Sequence, residues 1–369
     1  MSEKNNKLKY VGVVLIAIVI VSVAVTFIVF NPPTGSTPQE DYITVVDMVE
    51  RSVNVSRNVQ TVVTTVPDTL RLVVMLGEVD KVVGVTSYVD MGYAEKMEDV
   101  LAYPQLLDSE LARVGAASEV DAEKIAEIQP DVVFLYAPYS NLVSSIEEKA
   151  NVPVVCVSAG STPEEFYSAL RLVGKILDKE TKAEEIISYY QSQIDFVASR
   201  VADVPSSEQA TVYLANWANR QGTGWTTGSY WPVDAAGGIN LAENVSDSHV
   251  EVSEEQILEW NPDVIFIHGY KGESAVDEIL EDPLLQGIQA VKDGEVYGLF
   301  GPYIGYDPKM WLVDMYMIGK TIYPDKFSDV DVLATGEEIF QFVYGDTGSE
   351  VFNTVIANRG IYLSPDLTP

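Results

Sequence analysis

The chain has 369 residues, enough for two domains of ordinary size, and 47% hydrophobic against 21% charged residues excludes wholesale disorder. Its formal net charge of −32, from 55 acidic and 23 basic side chains spread along the chain, excludes nucleic acid and anionic lipid headgroups as surface partners. The single cysteine, Cys156, lies in the apolar run 152–157, which excludes disulfides and cysteine-based metal sites.

In chain order, Lys4, Lys7 and Lys9 precede residues 11–30, which carry no charge. At helical rise that run spans roughly 30 Å, the hydrocarbon core of a bilayer. The lysines stay cytoplasmic, so the body is expected outside, at the outer face of the cytoplasmic membrane. A cleavable signal peptide is the competing reading, but the run is longer than a signal's apolar region. We therefore expect residues 1–30 to be an uncleaved anchor. No cysteine lies near the N-terminus to carry a lipid. Residues 31–41, rich in Pro, Gly, Ser and Thr, form a tether. The sequons at Asn54 and Asn244 fit an outside location.

From residue 42 the chain alternates strand and helix. A strand is expected over 61–66, a helix over 69–76 stopped by Gly77, and a strand over 81–85. Such alternation implies parallel sheets. An internal repeat follows. Residues 121–136 (DAEKIAEIQPDVVFLY) and 253–268 (SEEQILEWNPDVIFIH) match at seven of sixteen positions, 132 residues apart. In each copy Asp121 or Ser253 caps a helix, Gln-Pro or Asn-Pro stops it, and an apolar strand follows. Two related lobes with a cleft between them are the expectation. Between the repeats, Thr162 caps a helical stretch with Pro163 in its first turn, and Thr181 with Glu184 repeats the capping signature. Residues 163–200 are expected to be a stiff helical connector.

Ligands of α/β lobes sit at the carboxyl ends of strands. That rule places 67–68, 86–92, 136–141, 216–231, 268–272 and 301–310 at the cleft. The segment 216–231 (NWANRQGTGWTTGSYW) offers Trp217, Trp225 and Trp231 as a packing face, Arg220 as a charge, and glycines that let a ligand approach the backbone. Tyr88, Tyr136, Tyr139, Tyr303 and Tyr306 offer phenols, able to hydrogen-bond a chelate or ligate Fe(III). His268, Tyr270 and Lys309 complete the candidates, Lys309 as a partner for an anionic ligand.

The opening stretch ITVVDMVERSVNVSRNVQTVVTTVPDTLRLVVMLGEVDKVVGVTSYVD (43–90) and the repeated helix–Pro-Asp–strand unit resemble the class III periplasmic binding proteins. The segment 310–344 looks like the C-terminal helical part of archaeal iron-compound binders. Glu50 stands where that family usually has Gly, and Gln60 where Arg is common. The resemblance implies an α/β fold: two Rossmann-like lobes with central sheets, an N-lobe over 42–162 and a C-lobe over 201–369, joined by a long rigid helix. It implies a binding protein, not an enzyme, that hands a small-molecule metal complex to an ABC permease and through it to the ATPase. An iron(III) chelate is the first choice of ligand, a corrinoid or haem the second, molybdate or tungstate the third. Family members carry one acid per lobe to dock on permease arginines. Asp234 lies near the C-lobe position. Asn141 stands at the N-lobe position, with Glu147 and Glu148 downstream.

An extracellular sensor or enzyme domain is the alternative from another class. No GxSxG, HExxH or Walker-type loop is present, and there are two histidines, His249 and His268. No resident cofactor or protein-held metal is expected, and the body is expected to be monomeric.

Overall fold

The computed structural model describes residues 41–367, apart from 91–95, 217–221, 247–248, 269–271 and 302–305. Two parallel sheets organise them. In the N-terminal lobe, after an antiparallel hairpin of β1 (Tyr42–Val46) and β2 (Ser52–Ser56), come β3 (Val62–Thr64), β4 (Val82–Val85) and β5 (Ala112–Arg113). A small ribbon of β6 (Gly115–Ala116) and β7 (Glu119–Val120) precedes β8 (Val132–Tyr136) and β9 (Val154–Val157). The sheet order is β5-β4-β3-β8-β9, every pairing parallel. In the C-terminal lobe β10 (Thr211–Ala215) is central, flanked by β12 (Ile239–Asn240) and β14 (Val264–Ile267), with β15 (Val296–Gly298) outermost. A second ribbon pairs β11 (Trp225–Thr227) with β13 (His249–Glu251).

The repeat survives in detail. Helix Ala122–Ile128 reappears as Glu254–Trp260, the same bounds shifted by 132. Asp121 accepts hydrogen bonds from the backbone of Glu123 and Lys124, and Ser253 from that of Gln256. Both helices end on a left-handed residue, Gln129 and Asn261, which turns the chain into the Pro-Asp pair. That aspartate then latches the neighbouring strand. Asp131 accepts from the Thr61 backbone at 2.8 Å and its hydroxyl at 3.0 Å; Asp263 does the same with Thr211 at 2.8 and 2.7 Å. One sequence unit therefore fixes strand alignment in both sheets.

The connector differs from a single rod. Helix Pro163–Ile176 begins as expected, Thr162 accepting from the Glu165 backbone. It stops before Asp178, whose φ of 58° breaks the helical path. A second helix, Glu180–Val201, continues from Lys179 rather than from a Thr181 cap. Its buried face of Ile186, Ile187, Tyr190 and Val197 joins a hydrophobic core that runs through both lobes. Cys156 is fully buried, as a small hydrophobe should be. Among the described residues no helix is long and apolar enough to cross a membrane; the segment 11–30 lies outside them.

Candidate functional site

In each sheet the strand order reverses beside the central strand, and ligands of open α/β sheets bind at that crevice. In the N-terminal lobe the reversal lies between β3 and β8, so Pro67–Asp68 and Tyr136 follow the two strand ends. In the C-terminal lobe it lies between β10 and β14, so Asn216 and His268 do.

Helix Pro67–Met75 starts at this crevice, its proline pre-set for the first turn. Asp68 faces the other lobe. Its Oδ1 accepts the Tyr306 N–H at 3.1 Å, while Arg71 Nη1, one turn on, donates to the Tyr306 carbonyl at 2.9 Å. Tyr306 is half-buried and packs edge-on against Trp311, which in turn packs edge-on against Trp231. Tyr136 and Tyr139 meet edge-to-face at 5.6 Å. Burial, then the Asp68 carboxylate, then the Tyr306 and Tyr139 phenols, push the Tyr136 phenol up to about 12. Three of the sequence candidates thus form one cluster with Asp68.

The other candidates have different surroundings. Tyr88 sits in a 3-10 turn, Ser87–Asp90, that folds it inward. It is 7% exposed, and burial and the nearby Asp99 raise its phenol, so it belongs to the core and not to the cleft wall. Lys309 is wholly buried and ion-paired to Asp307 at 2.9 Å, which removes it as a ligand charge. The segment 216–231 is not one loop: Trp225 begins β11 and Trp231 begins a short helix, Trp231–Ala235. Both rings are half-buried. Nor do Gly224 and Gly228 wait for a ligand, whereas Gly222 has open space around it. A side-chain carbon at Gly228 would lie 1.8 Å from the Ser246 carbonyl, and one at Gly224 would lie 2.4 Å from that of Val252. His268 is buried, its N–H donating to the Ala215 carbonyl. Trp217, Arg220, Tyr270 and Tyr303 lie outside the described residues.

Of the docking candidates, Asp234 is exposed on its short helix, raised to about 6 by partial desolvation and by Glu243. Glu147, partly exposed, pairs with Arg51 at 3.4 Å.

Sequence reasoning missed a buried ionic cluster where the lobes meet. Arg71 lies 3.4–3.6 Å from carboxylates of Asp68, Glu98, Asp99 and Asp307. Arg359 pairs with Glu98, and the Tyr344 hydroxyl donates to Asp99 at 2.8 Å. Burial opposes ionisation at Asp68, Glu98 and Asp307. It raises Asp68 to about 6 despite Arg71, and raises Glu98 despite Arg359. At Asp307 burial loses to Lys309 and Arg71, which hold the carboxyl well below its usual range. Charges set inside apolar runs, such as Arg71 between Leu70 and Leu72, are the signal that was available. Among the described residues no group of three or more His, Cys, Asp or Glu is arranged to hold a metal ion.

Comparison with known proteins now bears on the site. A family model described as periplasmic binding protein matches residues 62–302. A molybdate-binding protein, MolA of Haemophilus influenzae, is 26% identical over 325 residues, covering 81% of this chain and 90% of that one. A petrobactin-binding protein, YclQ of Bacillus subtilis, is 27% identical over 269 residues, covering 71% and 81%. The solved structure of MolA bound to molybdate superposes with a TM-score of 0.69 at 23% identity, covering 82% of this chain and 98% of that one.

Proposed function

Since the chain belongs to the periplasmic binding protein family, we propose that it is the extracytoplasmic substrate-binding component of an ABC importer, that it captures an iron(III) chelate, and that it delivers it to the permease. The cluster of Tyr136, Tyr139, Tyr306 and Asp68 at the strand-reversal crevice carries the choice of ligand. Phenol oxygens are hard donors, suited to the exposed edge of a ferric complex, and the buried Asp68 carboxylate stands behind them. Arg71, which touches Tyr306, and Lys309, three residues on from it, are committed to carboxylates, which leaves an oxyanion poorly served there.

In this reading residues 11–30 hold the body at the outer face of the membrane, and the body works as a monomer that passes its cargo to a permease driven by its ATPase. Asp234 and Glu147, one on each lobe, dock on the permease. Similarity to MolA supports a second reading, with molybdate as cargo. A corrinoid is the third. A thermal-shift panel of ferrioxamine B, molybdate and cyanocobalamin on the full chain separates them, since a ligand at 100 times its dissociation constant adds about 2.7 kcal/mol. Stabilisation by ferrioxamine B alone supports the proposal; stabilisation by molybdate alone replaces it with the second reading.

A further inference from the structure

We propose that Asp68 and Arg71 are positioning residues for ligand capture: they hold Tyr306 of the C-terminal lobe by both its backbone N–H and its carbonyl, and so make its ring a fixed part of the N-terminal ligand face. The inference rests on the binding reading above for its purpose, and on geometry for its substance. Asp68 and Arg71 lie on successive positions of one helical face, three residues apart, and each takes one polar group of the same peptide segment, at 3.1 and 2.9 Å. The partners are separated by 238 and 235 residues of chain, so these are contacts between lobes. The two bonds fix the backbone while leaving the phenol beside Tyr136 and Asp68.

The charge count shows what Asp68 is for. Among the described residues, the ion pairs that meet at the junction link four carboxylates, Asp68, Glu98, Asp99 and Asp307, to three cations, Arg71, Lys309 and Arg359. Without Asp68 the cluster balances at three against three. Among these described groups Asp68 is the acid in excess, and it sits where burial opposes its charge. The bond that its position does serve is the one to Tyr306. A buried acid in excess of the local cations is retained at a cost, and the cost here coincides with the hydrogen bond that Asp68 accepts from the other lobe.

The test is hydrogen–deuterium exchange resolved to single amides on the full chain, together with titration of ferrioxamine B. Asp68→Ala should speed exchange of the Tyr306 amide at least ten-fold and leave the Val133 amide, bonded within the N-terminal sheet, unchanged. Asp68→Asn, whose amide oxygen still accepts, should restore most of the protection. If the alanine variant does not fold, Asp68→Ser, too short to reach Tyr306, takes its place. In titration, Asp68→Ala and Tyr306→Phe should each weaken binding about ten-fold, and the double variant no further than the weaker single. Unchanged Tyr306 exchange in Asp68→Ala, or losses that multiply in the double variant, would overturn the proposal. A wild-type chain that binds no chelate refutes the ligand reading and leaves the clamp to be decided by exchange alone.

Discussion

The Tyr230 hydroxyl donates to Asp314 at 2.6 Å, both groups enclosed, and the same carboxylate accepts the backbone N–H groups of Phe300 and Gly301. Arg359 completes the arrangement by donating to the carbonyls of those two residues. The end of β15 is thereby strapped on both of its polar sides, while Asp68 and Arg71 hold Tyr306 further along. Tyr230 consequently works as an architectural residue inside the aromatic segment. Tyr230→Phe should cost about 1.5–3 kcal/mol in urea unfolding in mildly alkaline buffer, where Asp314 is ionised, the scale of a hydrogen bond to a buried charged group. A cost below 0.5 kcal/mol would show that Asp314 is protonated and indifferent to the donor.

Arg71 carries the junction. Replacing it with methionine keeps the volume and leaves Glu98, Asp99 and Asp307 with fewer cations than they need. A loss of about 3–5 kcal/mol is expected, as for a broken buried ion pair. Equilibrium denaturation measures it. An unchanged midpoint would mean that the cluster is neutralised by protons rather than by the guanidinium.

Stability should rise as the medium becomes mildly acidic. Asp68 and Asp314 have folded-state pKa values of about 6 and about 7, against an ordinary 3.8. The folded chain therefore binds more protons than the unfolded chain in that window. The stability gained by protonation is fully present below 3.8 and is lost as pH rises through 6 to 7. Asp47, Asp131 and Asp307 are shifted downward, so their contributions are present above the ordinary value and fall away only in stronger acid. Unfolding free energy at pH 5 should exceed that at pH 8 by about 1–3 kcal/mol, and Asp68→Asn should flatten the slope. A stability that climbs from pH 5 to 8 contradicts this assignment.

The two latches of the repeat should behave alike. Asp131→Ala and Asp263→Ala each remove hydrogen bonds that start a central strand, at a cost of about 1–2 kcal/mol. They share no partner, so the double variant should show the sum within about 0.5 kcal/mol. Strong non-additivity would mean that the lobes' sheets are coupled through the common core.

The repeat was legible in the sequence because its signals are local: a cap, a helical stripe, a proline and an apolar strand lie within sixteen residues. Tyr136, Tyr139 and Tyr306, all placed at strand carboxyl ends by the sequence, do lie near one another in space. Tyr88 obeyed the rule in sequence but not in space, since a 3-10 turn redirects its ring into the core. Gly224 and Gly228 carried a true message, close approach of another backbone, but the sequence could not say that the approaching chain is the protein's own. The ionic cluster was hidden because Arg71 and Asp307 are neighbours only after folding. Asp314, between Val313 and Met315 on a helix buried on nearly every side, was the readable clue that a polar partner must exist.

The central claim is that phenols at the crevice receive a ferric chelate. Isothermal titration of ferrioxamine B into the full chain, and into the triple variant Tyr136→Phe, Tyr139→Phe, Tyr306→Phe, measures it most directly. The account predicts binding by the wild type, and at least a hundred-fold loss in the variant, about 2.7 kcal/mol, with circular dichroism unchanged because the rings remain. Equal affinity in the two proteins, or a wild type that takes up molybdate and leaves the chelate, would contradict it.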